Sequence, residues 1–128
     1  MFVRFVISNL DDNSGRRQGL FQAAYKLRAS GQMGAADEEQ LDQILHWFED
    51  NLAEPERLAL SSKPRRKASA ISWFRDGAKE HIVRMRELRA LLDSHGIAVD
   101  MLRERRPGYV VYEDEHQVVA YPFSETIC

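Results

Sequence analysis

The chain has 128 residues, 44% of them hydrophobic and 30% charged, and a net charge of -2. That is enough apolar material for one domain with a single core, and too much for a disordered tail. The chain is not a polycation, so any affinity for nucleic acid must come from a local patch.

Residues 1–8 (MFVRFVIS) are rich in Val, Ile and Phe and read as a strand. Met1, Val3, Phe5 and Ile7 make one face fully apolar, and Arg4 is the one exception on the other. A strand apolar on both faces belongs in the middle of a sheet. Residues 9–19 (NLDDNSGRRQG) are dense in turn formers. A short helix is predicted over 20–29, ended by the glycines of 30–34. Asp37 is placed to cap a second helix over 38–51, where Leu41, Ile44, Leu45, Phe48 and Leu52 recur at helical spacing. Residues 54–69 form a polar, basic connection inside the single domain 1–128. The spacing of Ile71, Phe74, Ala78, Ile82, Met85, Leu88 and Leu92 predicts a long helix over 70–94, closed by His95-Gly96. Three strands follow, at 97–103, 109–112 and 117–121, with residues 113–116 (EDEH) as a hairpin loop. The expected fold is α+β: a four-stranded mixed sheet of one strand, three helices and a three-stranded antiparallel meander, helices on one face. The first two strands are expected to pair in parallel.

Following the chain direction through those elements puts three loops at one end: residues 9–19, 54–67 and 103–108. They carry ten of the eighteen basic residues, Arg57 among them, against five acidic ones. Ser14, Arg16, Arg17, Lys63, Arg65, Arg66, Lys67, Arg103, Arg105 and Arg106 are therefore the candidate anion-binding residues. The N-termini of the first and third helices would point the same way and add unpaired N–H groups, a setting for phosphate or carboxylate. The turn before the first helix has neither the glycine spacing nor the Lys-Ser/Thr pair of a phosphate-binding loop. The opposing reading is that these charges are solvated, with Arg105 and Arg106 paired to Asp11 and Asp12.

No residue set suggests a reaction, and neither cofactor nor metal is expected. His46 and His81 have no partner at the spacing of a zinc helix, and His116 among Glu113, Asp114 and Glu115 reads as an exposed acidic turn. The only cysteine, Cys128, cannot form an internal disulfide and fits a reducing, cytoplasmic setting. Residues 1–7 are short, interrupted by Arg4 and followed by Asp11-Asp12, so a secretory signal is not expected. No run reaches the ~18 apolar residues of a membrane span. The segment 106–122 (RPGYVVYEDEHQVVAYP) resembles bacterial proteins without a known activity and carries no function over.

The reading that follows is a small, non-catalytic accessory protein binding an anionic partner, possibly nucleic acid, through the basic end. A second reading is a protein-interaction module of inhibitor, immunity or adaptor type, or a homodimer. It would use a sheet face left open by the helices, where Val and Tyr of the hairpin would be costly in water. A third is an enzyme whose site is assembled from scattered residues.

Overall fold

The apolar run that opens the chain becomes the centre of the sheet. The computed structural model describes residues 1–12, 15–54 and 70–128. Among them the order is β1 (Phe2–Leu10), β2 (Arg17–Gly19), α1 (Leu20–Ala29), α2 (Ala35–Asn51), β3 (Ile71–Arg75), α3 (Lys79–Ser94), β4 (Asp100–Glu104), β5 (Tyr109–Glu113) and β6 (Gln117–Tyr121). The protein is α+β, with six described strands rather than four, and all the pairings are antiparallel rather than mixed. No described helix is long and apolar enough to cross a membrane.

β1 is paired on both edges. On one it meets β4, with Phe2 opposite Glu104 and Val6 opposite Asp100. Its other edge is shared: β3 pairs at Phe2 and Val3, and β2 pairs at Val6 and Leu10. Between these contacts Arg4 and Phe5 have no described strand beside them on that edge. The sheet continues from β3 to β6 and β5.

The expected long helix is corrected to a strand, a turn and a shorter helix. Ile71, Phe74 and Ala78 match helical spacing, yet residues 71–75 (ISWFR) are β-branched and aromatic, and Asp76-Gly77 breaks the chain. A short apolar run fits either period, and cross-strand packing decided it. Trp73 and Ile71 face one side of the sheet and Phe74 faces the other. The extra strand reverses the chain once more, so β4 runs antiparallel to β1 where a parallel pair was expected. The cap of α2 is Gly34 rather than Asp37, which instead sits in the first turn and meets His95 at 2.9 Å.

All three helices cover one face. Val3, Phe5, Ile7, Phe74 and Val99 from the sheet side pack with Leu20, Leu41, Phe48, Met85, Leu88 and Leu92 from the helices. On the opposite face Ile71, Trp73 and Val118 form a second cluster with Cys128. That face was expected to lie open; instead the last residues of the chain cross it. Phe123 donates its backbone N–H to Thr126 Oγ1 (3.0 Å), and the Thr126 N–H returns to the Phe123 carbonyl (3.1 Å). Arg17 N–H reaches the Cys128 carbonyl at 3.4 Å. On this side Ile71, Trp73 and Val118 are buried, while Tyr109 and Val110 of the hairpin and Ile127 remain exposed.

Four residues, Arg105 to Gly108, join β4 to β5 at the far side of the sheet. In a flat sheet those strands would lie about 19 Å apart and be offset along their length as well. The link spans about 18 Å fully extended, so the sheet curls. Gly108 makes the close approach possible: its φ is +144°, and a Cβ there would lie 2.1 Å from the Tyr121 carbonyl oxygen. Only glycine fits.

Candidate anion-binding cleft

The register pairs separate Arg103 from Arg16 and Arg17. Arg103 sits opposite Val3, at the Phe2 end of β1, and lines a depression with Lys79, Arg86 and Asp76. The N-terminus of α3 lies at that end too, since Arg75 pairs with Phe2. Arg16 and Arg17 lie at the Leu10 end. The antiparallel course of β4 thus places Arg103 at the opposite end of β1 from Arg16 and Arg17. The hairpin loop is at the Phe2 end, tied by Arg75 to Glu113 at 3.1 Å.

Arg16 and Arg17 hold the chain together. Arg16 donates to the carbonyls of Thr126 (3.1 Å) and Phe123 (3.4 Å). Arg17 donates from Nε to the Ile7 carbonyl at 2.9 Å and pairs with Asp100 at 2.5 Å. Arg106 places its guanidinium 5.3 Å from the centre of the Phe123 ring. Arg16 and Arg106 therefore meet on the same terminal segment. Arg105 is exposed, and the backbone N–H groups of Arg105 and Arg106 donate to the Glu104 carboxylate at 2.9 and 3.2 Å. Ser14, Arg57, Lys63, Arg65, Arg66 and Lys67 lie outside the described residues.

The residue that sequence reasoning passed over is Arg4. It is the one charged side chain of an apolar central strand, and only 7% of it is exposed. One guanidinium nitrogen, Nη2, donates to the Arg17 carbonyl. The other, Nη1, is buried with no partner among the described residues. Burial holds the Arg4 pKa below the usual arginine value, while Cys128 and Asp11 pull it back up. A guanidinium remains charged at any physiological pH, so this is a cation taken out of water with a donor unused. The signal was present in the sequence as the break in the MFVRFVIS pattern.

Arg4 lines a cleft of about 360 Å³ that opens where β2 and β3 diverge along β1. Leu20, Phe21 and Gln22, the first turn of α1, form one wall. Gly19 caps that helix without a side chain, and its first turn contains no acidic residue. Its leading N–H groups carry the positive end of the helix dipole. Phe5, Ile71, Phe74 and Met85 supply apolar surface. Asp11 stands at the same cleft and accepts a hydrogen bond from the Gln22 amide at 3.2 Å. Phe21, Ala70 and Ser72 also border a wider groove of about 460 Å³ running over Tyr25, Leu45, Leu52 and Val119.

The histidines serve the fold. His81 is buried, 2.7 Å from the Asn51 carbonyl, and stacks on His116 with centroids 4.2 Å apart. Asp114 organises the hairpin loop by accepting from the backbone N–H groups of His116 (2.8 Å) and Gln117 (3.0 Å) and from the Tyr112 hydroxyl (2.9 Å). Among the described residues no group of three or more His, Cys, Asp or Glu could hold a metal ion. No family model, curated protein or solved structure matches the chain.

Proposed function

We propose that this protein is a non-catalytic accessory protein that binds an anionic ligand in the cleft between Arg4 and the first turn of α1. The observation that carries this reading is Arg4, a buried arginine that lines the cleft and whose Nη1 has no hydrogen-bond partner among the described residues. The N-terminus of α1, which has no side-chain cap, also lines the cleft and adds N–H donors and positive potential. A buried cation is costly to leave unpaired, and a bound anion removes that cost.

Calorimetric titration with sodium acetate, sodium phosphate and short DNA and RNA across a range of ionic strength tests it. A small anion should bind at one saturable site with shallow salt dependence, because one guanidinium is neutralised rather than a row of phosphates. Arg4→Gln should abolish that binding. If the variant does not fold, backbone amide shifts of Leu20, Phe21 and Gln22 in the unaltered protein decide the matter, and they should move with added anion. Unmoved amides, or oligonucleotide binding with a steep salt slope that small anions do not compete away, would overturn the reading.

A further inference from the structure

At the Phe2 end of β1, away from Arg16 and Arg17, lies a surface of a different character. We infer that the depression between α3 and the outer edge of β4 docks an acidic, extended segment of a partner protein, laid along β4 as an added strand. This docking is independent of the anion cleft.

Charge selects the chemistry of the partner. Lys79 and Arg86 of α3 and Arg103 of β4 line one depression of about 240 Å³, and all three are exposed. Among the described residues none of the three is paired with a carboxylate. Asp76 is the one acid in the lining, so three positive charges stand against one negative. A segment with two or more carboxylates complements them. The spacing brings the groups to one place. Lys79, Val83 and Arg86 are four and three residues apart and share a face of α3. Met101 and Arg103, two apart on a strand, share the sheet face that packs against the helices. The rest of the lining is Val3, Ile82, Val83 and Met101. Val83 is 52% exposed, an apolar contact for a side chain between the carboxylates. The sheet edge selects the shape of the partner. Among the described residues β4 pairs with β1 alone, so its other edge presents backbone N–H and C=O groups at strand spacing. A peptide added there takes those bonds about 4.8 Å outside β4, and its alternate side chains point toward α3 and the cations. Nucleic acid fits this surface less well, because the lining offers no aromatic ring for a base to stack on and only three cations.

The test is an amide and methyl NMR titration of the whole chain with three peptides and an oligonucleotide. The first peptide is acetyl-Glu-Val-Glu-Val-Glu-Val-amide. The second has glutamine in place of every glutamate, and the third is the first with every backbone nitrogen methylated. The oligonucleotide is a single-stranded octathymidylate. The acidic peptide should shift the backbone amides of residues 100–104 together with the Val83 and Met101 methyls, and leave Leu20 to Gln22 unmoved. It should bind roughly tenfold tighter, or more, than either the neutral or the methylated peptide. Arg86→Gln combined with Arg103→Gln should weaken it by a similar factor. Both side chains are exposed, so the melting temperature of the double variant should stay within about 2 °C of the parent. Equal binding of the neutral peptide would remove the role of the cations, and equal binding of the methylated one would remove the added strand; either result overturns the inference. It is also overturned if residues 100–104 do not move, or if octathymidylate displaces the peptide from them at lower concentration. Shifts confined to Leu20 to Gln22 would put the peptide in the anion cleft, leaving that reading intact and this one refuted.

Discussion

Replacing Thr126 by Val asks whether the terminal segment really seals the second face of the sheet. Thr126 is buried, and its hydroxyl is the acceptor for the Phe123 backbone N–H at 3.0 Å. Valine keeps the shape and removes the acceptor, so a partly buried N–H loses its partner. That costs about 1–2 kcal/mol. For a chain of 128 residues the unfolding entropy, about 2.1 cal/mol/K per residue, makes each kcal/mol worth about 4 °C, so the melting temperature should fall by roughly 4–8 °C. In urea the midpoint should drop by roughly 0.5–1 M with the slope unchanged. Tryptophan fluorescence is the natural readout, because Trp73 lies in the same cluster as Cys128 and is 1% exposed. Ile127→Ala is the control: that side chain is 74% exposed and the change should stay within about 0.5 kcal/mol. If Thr126→Val behaves like Ile127→Ala, the segment is not docked and the second face is open after all.

The other predictions follow from single contacts. Phe74→Ala should cost about 3–5 kcal/mol by urea denaturation, since the ring is buried between the sheet and the helices. Gly108→Ala should cost about 3 kcal/mol or more, because the new Cβ combines a left-handed backbone with a clash against Tyr121; a melting temperature within 2 °C of the parent, about 0.5 kcal/mol, would refute the tight crossing. Burial alone would raise the Asp114 pKa, but hydrogen bonds from His116, Tyr112 and Gln117 outweigh it and hold it below the usual value. Its stabilisation is therefore full above the ordinary carboxylate pKa of about 3.9 and is lost as pH falls through the depressed folded value. Asp114→Asn should flatten stability against pH below about pH 4 and leave the alkaline side unchanged.

Much of the fold was legible because local signals were strong. β6 and α1 coincide with their predicted spans, and β1, α2 and β5 differ by a few residues at their ends. What failed was a short segment with two valid readings. Ile71, Phe74 and Ala78 satisfy a helical period, while Ile71, Trp73 and the Asp76-Gly77 turn satisfy a strand; only pairing with β1 and β6 decides between them. That one misassignment reversed β4 and carried Arg103 to the other end of the molecule. Residues 122–128 carry no periodicity, so their role as a cover could not be read from pattern; it depends on Arg16 and Arg17, more than a hundred residues away in the chain. Arg16 and Arg17, which looked free in sequence, are engaged with backbone carbonyls and an aspartate. Arg4, which looked like an irregularity in a strand, holds a buried donor without a described partner.

The most direct test of the cleft as an anion site is a crystal structure of the protein grown with sodium bromide. The account predicts an anomalous bromide peak in the cleft lined by Arg4 and the first turn of α1. Bromide bound only elsewhere, with the cleft unchanged, would contradict it.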